Sequence, residues 1–354
     1  MTNRASLSRA SRHAGFTLVE LLVAMALGLL IAGAAVATLV IGRQGFNAVD
    51  STTQLRENAR FAASLIQRVG IQAGYENRAQ GQSAWRLFCG TPGATLNCHN
   101  IADNDTNPGV RAYDNAMITN LAALPGGVAH GNRPAACAVA DTSCQNGSDV
   151  LMIRYFGDTK AGAATGNGSM INCSGTGEPE GAVAGYSIFQ VVRAANGEPT
   201  LTCIYRDPTT GLWAQVPLVE GVEGFQVLFG VDGVTANAAP APLTLPLDMT
   251  NTANDTVPEL FLRASQLDVP GNADATADNW RRVRSIRIGL VVRGGTSSAI
   301  DRASSARTID VLGTGFYNVS DVGSRLVTPA DGRLRQTLVF TIHLRNPQYT
   351  FPES

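Results

Sequence analysis

The stretch GFTLVEL, residues 15–21, joins a basic segment to a long apolar one. The residues before it are polar and basic, with Arg4, Arg9 and Arg12 and no acid. From Leu21 to Gly42 there is no charged residue. A helix rises about 1.5 Å per residue, so this run can cross a hydrocarbon layer of about 30 Å. We therefore expect a membrane-spanning helix with its basic segment in the cytoplasm and the remaining chain outside the inner membrane.

Three interpretations of this N-terminal segment are open. A secretory signal peptide would be removed, and Ala35-Val36-Ala37 forms an A-x-A cleavage site after an apolar stretch. A plain anchor would stay uncleaved. The third interpretation rests on Glu20, because an acid placed at mid-bilayer costs roughly 2.5–3.5 kcal/mol. A charge kept at that cost usually has a functional partner, which neither a signal peptide nor a plain anchor needs.

Residues 15–21 resemble the processing site of type IV prepilins, in which a basic leader, Gly, Phe, Glu and an apolar run follow in this order. The resemblance implies that a membrane-embedded prepilin peptidase cuts between Gly15 and Phe16 and then methylates the new N-terminal Phe16. It also implies that the Glu20 carboxylate pairs with the N-terminal amine of a neighbouring subunit. Opposite charges attract strongly in a low-dielectric fibre core, and each reduces the burial penalty of the other.

Small residues recur at helical spacing within the apolar run. Gly28 with Ala32, and Gly33 with Ala37, form small-xxx-small pairs. Such pairs let two helices approach closely in a membrane. They are therefore candidates for helix packing in a filament core, although Gly and Ala are also common in membrane helices generally.

The helix is expected to continue beyond the apolar run. Six apolar positions recur at spacings of three and four, which is typical of one buried helix face: Leu55, Ala59, Ala62, Ile66, Val69 and Ala73. Charged and polar side chains such as Arg56 and Arg60 lie off this face. The pattern predicts a helix from about Phe16 to Ala73, with Gly74 as its stop.

The chain after Tyr75 predicts a head rich in β-strands. Seven segments are strand candidates: 150–156, 186–193, 201–206, 212–218, 225–231, 283–293 and 336–345. In the sixth, the alternation places Ile286, Ile288, Leu290 and Val292 on one face. Short strands separated by turns favour antiparallel pairing. The segments 157–185 and 233–258, rich in Gly, Ala, Asn and Pro, are expected to be loops.

The six cysteines indicate disulfides, because an even number in an exported protein is typical of them: Cys89, Cys98, Cys137, Cys144, Cys173 and Cys203. Their order suggests the local pairs Cys89–Cys98, Cys137–Cys144 and Cys173–Cys203. This pairing is a hypothesis, since several connectivities are possible. The alternative, a metal site, is favoured only by His99 beside Cys98, and no CxxC pair is present.

Catalytic and ligand-binding chemistry finds little support in the sequence. No common hydrolase, metalloprotease or phosphate-loop motif is present, so we expect no enzyme, no cofactor and no metal. His343 is expected to be solvated on the last strand. Residues 103–107 with Asp114 partly resemble a calcium loop, but Pro108 stands at the glycine position, and a polar turn is the expected structure.

The charge balance also argues against a nucleic-acid partner. The net charge is −1, and only 16% of the residues are charged, against about 25% in a typical domain. The arginine-rich segment 281–293 is the exception. It is interpreted as a solvated edge strand whose charges prevent pairing with another chain, rather than a DNA-contacting surface.

Several further passages resemble the PilW family of minor pilins. These are 56–61 with 73–75, 218–232, 280–293 and 344–346. The resemblance covers both ends of the chain well, and the middle only in general character. It implies an α+β fold, in which a long N-terminal pilin-type helix with a transmembrane first half packs on an antiparallel β-rich periplasmic head with long loops.

The expected organisation has four parts: a leader at 1–15, the transmembrane half of the helix at 16–42, its amphipathic periplasmic half at 43–74, and a disulfide-containing head at 75–354. The expected function is that of a minor pilin in a tip or priming complex, since so large a head would crowd a tightly wound shaft.

Expected partners are the prepilin peptidase, other minor pilins, the major pilin and, before assembly, the inner membrane. The expected final location is the pilus on the cell surface. A minor pseudopilin of a type II secretion system, and an adhesin or binding module displayed on a pilus, remain alternatives.

Overall fold

The computed structural model describes residues 17–75, 87–88, 99–100, 108–121, 124, 145–158, 166–178, 184–241, 257–296, 298–299 and 306–346. The chain divides into two compact units, Met1–Asp50 and Ser51–Ser354. Helix α1 (Leu18–Gly70) is the element that contributes residues to both units.

In the first unit, α1 presents apolar side chains outward. Every residue from 17 to 47 is exposed, including Leu29, Leu30 and Ile31 at more than 70% of their surface. By length and composition this helix can cross a membrane. Exposed apolar surface of this extent is costly in water, so it calls for lipid or neighbouring helices as its environment.

In the second unit, one face of α1 is buried and the predicted face is confirmed. Leu55, Ala59, Ala62, Ile66 and Val69 are all at most 4% exposed. The helix ends at Gly70, earlier than expected, and a turn covers residues 71–74. Gly74 adopts a φ of +68°, a conformation that glycine reaches without the steric penalty other residues incur.

Besides α1, the described residues form thirteen strands and two short helices. In chain order they are β1 (Leu87–Phe88), β2 (His99–Asn100), β3 (Val110–Tyr113), β4 (Val150–Tyr155), β5 (Gly185–Arg193), β6 (Pro199–Arg206), β7 (Trp213–Glu220), β8 (Val222–Val231), β9 (Leu260–Leu262), α2 (Ala264–Leu267), α3 (Ala273–Arg281), β10 (Val283–Arg293), β11 (Arg307–Asp310), β12 (Arg325–Thr328) and β13 (Arg335–His343). The seven predicted strands are all present, as β4 to β8, β10 and β13. The six strands that were not predicted are two to four residues long.

Two antiparallel sheets form the main part of the described head. The first has the order β3-β4-β5-β6-β7, and the second has the order β13-β10-β8-β9. β1 pairs with β2, and β11 pairs with β12, each as a separate two-stranded sheet. The antiparallel pairing expected from short, turn-connected strands is confirmed.

The core lies between the sheets and the buried face of α1. It contains the α1 residues named above together with side chains from β3 to β8, β10 and β13. Ile286, Ile288, Leu290 and Val292 are completely buried, as the alternation in β10 predicts. At the end of α1, Gly70 lies against Ile342 of β13, where a Cβ atom would come within 2.7 Å of the Ile342 side chain.

The interpretation of residues 281–293 as a solvated strand edge is wrong. β10 is an inner strand, hydrogen-bonded to β13 on one side and to β8 on the other. Two of its three arginines form ion pairs: Arg284 with Asp232 at 3.0 Å, and Arg293 with Glu198 and Glu223. The third, Arg287, donates to the Leu312 carbonyl oxygen and lies over the Phe316 ring. A charge-rich sequence is compatible with an inner strand because each of these side chains meets an acceptor or a ring outside the strand.

Candidate processing and assembly site

The first turn of α1 holds Glu20 through hydrogen bonds to Thr17. The Thr17 backbone N–H donates to Glu20 Oε2 at 3.0 Å, and the Thr17 hydroxyl donates to the same oxygen at 3.1 Å. Glu20 N lies 3.3 Å from Thr17 Oγ1, which accepts in return. This is a capping box, in which an N-cap threonine and the acid three residues later satisfy each other's backbone donors.

The capping box gives Glu20 a local role that sequence reasoning missed. The signal was present, because the pattern Thr17-x-x-Glu20 before an apolar run is the sequence signature of this motif. Both donated bonds reach Oε2, and among the described residues none donates to Oε1. The carboxylate therefore keeps an oxygen available to a further donor while it caps the helix.

The predicted cleavage residues, Gly15 and Phe16, lie outside the described residues. The small-residue pairs lie within them, on the exposed part of α1. A Cβ atom built on Gly28 or on Gly33 meets nothing within 4 Å. These positions thus present backbone that a second helix can approach closely.

One predicted disulfide is present in the head. Cys173 and Cys203 are joined, with their Cα atoms 5.9 Å apart. Cys203 lies on β6 and is completely buried, and Cys173 lies in the segment 166–178 and is almost completely buried. Cys89, Cys98, Cys137 and Cys144 lie outside the described residues.

An alternating chain of charges crosses the head where β8, β10 and β13 meet the β5–β6 turn. Glu223 of β8 is central to it, with Oε1 2.9 Å from Arg293 and Oε2 2.6 Å from Arg335. Along the chain, the groups alternate in sign: Asp331, Arg335, Glu223, Arg293, Glu198 and Arg333. Burial opposes ionisation of Glu198, but the hydrogen bonds from Arg333 and Arg293 leave its pKa below the ordinary value. The sequence does not predict this network, because directly bonded members are separated by up to 135 positions.

Among the head residues that the structure describes, three carboxyl groups have raised pKa values. Burial raises the pKa of Glu178 to about 7, against the hydrogen bond from Asn172, which lowers it. Burial and the nearby Asp114 raise the pKa of Asp321 to about 6. Burial also raises the pKa of Asp149, with Asp114 and Asp321 adding to the effect.

These shifts predict that the head is more stable in mild acid. A carboxyl group with a higher pKa in the folded than in the unfolded chain binds its proton more tightly when folded. Its contribution to the unfolding free energy is therefore complete at low pH. It is lost as the pH rises through the pKa that the group has in the folded chain. From about pH 8 to about pH 5.5, Glu178 should raise the unfolding free energy by about 2 kcal/mol.

Chemical denaturation of the full chain in detergent at these two pH values measures the effect. Glu178→Gln should remove most of the contribution of this side chain, whereas the exposed Glu220→Gln should leave the pH dependence unchanged. Equal pH dependence in wild type and Glu178→Gln would contradict the assignment to Glu178.

The described residues contain no group of three or more His, Cys, Asp or Glu side chains suited to a metal ion. Residues 103–107 of the partial calcium-loop pattern lie outside the described part. Asp114 accepts hydrogen bonds from the backbone N–H groups of Ala264 and Ser265, at 3.0 and 2.9 Å, and so supports the start of α2. His343 is exposed at the end of β13, as expected.

Comparison with known proteins adds two family matches. The chain matches the family model of type IV pilus-assembly protein W over residues 188–346 and that of the prokaryotic N-terminal methylation motif over residues 10–36. Among solved structures, a type IV-like pilin from Thermus thermophilus aligns with 83% of this chain and 98% of its own, with 13% identity and a TM-score of 0.35. The comparison with curated proteins found no match. The two family matches, one toward each end of the sequence, support a minor pilin of the PilW type.

Proposed function

We propose that this chain is a low-copy subunit of a tip or priming complex of a type IV pilus, and that it joins the filament through α1 and Glu20. The observation that carries the proposal is a carboxylate in the first turn of a helix whose apolar surface is exposed over residues 17–47. Such a helix requires lipid before assembly and other helices after it. Pilins are structural proteins, so the chain's role is assembly rather than catalysis.

The proposed pathway begins with insertion. The basic residues 1–15 stay in the cytoplasm, residues 16–42 span the inner membrane, and the head lies in the periplasm. The prepilin peptidase cuts between Gly15 and Phe16 and methylates Phe16. The capping box survives this cut, because it requires only Thr17 and Glu20.

Assembly then depends on charge pairing in an apolar environment. A lone carboxylate buried among apolar helices costs several kcal/mol, and a neighbour's N-terminal ammonium offsets much of that cost. The oxygen Oε1, which receives no hydrogen bond from the described residues, is the acceptor proposed for this amine. Entry into the fibre is therefore favoured when the neighbour carries a free, processed N-terminus.

The place in the filament is proposed from size. The second compact unit runs from Ser51 to Ser354. A head of this length would crowd its neighbours in a tightly wound shaft, but it can be accommodated at a tip. The same argument suits a pseudopilin of a secretion system, and the presence of the chain in sheared pili or in a secretion complex separates these two possibilities.

The mature N-terminus tests the processing step. Mass spectrometry of the protein from membranes should find N-methylated Phe16 as the first residue. A Gly15→Val variant is the matched control and should retain the leader. A wild-type chain that begins at Thr38 would instead indicate secretory cleavage after Ala37, and an intact leader would indicate a plain anchor; either result would contradict the proposal.

A further inference from the structure

Several contacts hold the end of α1 to the head, among them the hydrogen bond from Gly74 N to Arg154 O at 2.8 Å, and one of them is bidentate. Gln72 lies in the turn that follows the helix, and its side-chain amide forms two hydrogen bonds to one residue of the segment 166–178. Gln72 Nε2 donates to the carbonyl oxygen of Ile171 at 2.8 Å, and Ile171 N donates to Gln72 Oε1 at 2.9 Å. A bidentate contact of this kind fixes both the distance and the orientation of the two backbones.

Ile171 is in turn held in place from the side of the first sheet. The hydroxyl of Tyr155 on β4 donates to the Ile171 carbonyl oxygen at 3.2 Å and lies 2.9 Å from the Ser187 hydroxyl on β5. The same Ser187 oxygen accepts from the backbone N–H of Cys173 at 2.9 Å. Tyr155, Ser187 and Cys173 are all at most 2% exposed, so these bonds are shielded from water.

The disulfide completes this connection. Cys173, two residues from Ile171, is bonded to Cys203 on β6, an inner strand of the first sheet. Within the segment that carries Cys173, the bonds are local: one isolated bridge between Ile171 and Gly177, and turn bonds such as Asn172 N to Thr176 O at 2.9 Å. The disulfide is therefore the covalent part of the segment's attachment to the first sheet, beside the hydrogen bonds to Tyr155 and Ser187.

We propose that the Cys173–Cys203 disulfide is the latch that holds the end of α1 on the head. Formation of the latch joins the two sulfur atoms as both thiols give up their protons and two electrons. The acceptor is the disulfide of a thiol–disulfide oxidoreductase, whose S–S bond breaks to give a dithiol. Only the oxidised head then presents Ile171 in the position that binds Gln72. The inference concerns the second compact unit and holds for whichever filament the chain joins.

Linkage makes the latch testable in both directions. If the disulfide favours docking of Gln72, docking of Gln72 must protect the disulfide by the same factor. The two sulfur atoms are buried, so reduction by dithiothreitol requires local opening of this segment. Gln72→Ala in the full chain should therefore speed reduction of Cys173–Cys203 at least about tenfold. Alkylation and peptide mapping distinguish this pair from the other four cysteines.

The chain offers a closely matched control. Gln190 of β5 clamps the backbone of Ile118 in the same way, accepting from Ile118 N at 2.8 Å and donating to Ile118 O at 3.1 Å. Gln190→Ala removes an equivalent pair of bonds and should leave the reduction rate of Cys173–Cys203 unchanged. Faster reduction in both variants would indicate general loosening of the sheet. Unchanged reduction in both would show that docking of Gln72 and the disulfide are not coupled. Either outcome overturns the proposal.

Hydrogen exchange provides the reciprocal measurement. In a variant carrying both Cys173→Ser and Cys203→Ser, amide exchange at residues 71–75 should rise at least about tenfold while β10 stays protected. An unchanged rate at 71–75, or an equal rise in β10, contradicts the latch. Should this variant fail to fold, the reduction rates of the two glutamine variants still decide the question.

Discussion

The Glu20→Ala variant is expected to be inserted and processed normally, and yet to be missing from filaments. Alanine removes the carboxylate that pairs with a neighbour's amine in the proposed assembly contact. Without that partner, the amine would be buried uncompensated, at a cost of several kcal/mol. We expect at least about a tenfold drop in the amount recovered with sheared filaments relative to the amount in membranes, measured by immunoblot.

A Glu20→Gln variant separates charge pairing from helix capping. The glutamine side-chain oxygen can still accept from Thr17, so the capping box is retained, but the negative charge is lost. Charge pairing predicts that Glu20→Gln fails to assemble as fully as Glu20→Ala. Normal incorporation of the glutamine variant would mean that the residue acts through the first turn of its own helix.

Loss of Glu223 is expected to have the largest effect on the stability of the head. Its carboxylate lies between Arg293 and Arg335, and the Arg335 side chain is 1% exposed. Glu223→Ala would leave a buried arginine without one of its two carboxylate partners. Removing one member of a buried ion pair typically costs about 3–5 kcal/mol, since the remaining charge cannot reach water.

The exposed pair Arg325–Asp310 provides the control for this prediction. Its atoms approach within 2.7 Å, as closely as those of the buried pairs, but the two side chains are 37% and 28% exposed. Asp310→Ala should therefore cost only about 0–1 kcal/mol. Chemical denaturation of both full-length variants in detergent measures the difference. Equal midpoints for the two would show that burial adds nothing to the Glu223 interaction.

Local patterns in the sequence were sufficient to predict the helices and strands that bury one face. The period of the apolar residues from Leu55 to Ala73 predicted the buried side of α1. The alternate apolar residues from Ile286 to Val292 predicted the buried face of β10, and the predicted bounds 283–293 match the strand. Both succeed because hydrophobic burial repeats with the geometry of a helix or a strand. The short strands β3, β9, β11 and β12 were missed because three or four residues are too few to show a period.

The position of each element in the sheets could not be read from local patterns. Segment 283–293 contains three arginines, which suggested an edge, whereas its backbone hydrogen bonds to both β8 and β13 make it an inner strand. The same limit applies to the contact between Gln72 and Ile171, which are 99 residues apart. Such long-range contacts depend on which surfaces meet after folding.

Local sequence alone predicts the membrane-compatible helix, the acid in its first turn and the seven principal strands, whereas the cysteine pairing stayed a hypothesis until the fold joined Cys173 to Cys203. These features depend on neighbours in the chain, where hydrophobicity, charge and spacing act directly. Three further features emerge only in the folded chain: the internal position of β10, the two arginines beside Glu223, and the binding of Gln72 to the disulfide-linked segment. Those contacts join residues far apart in sequence, and they form because burying the two sheets against α1 leaves each enclosed polar group in need of a partner.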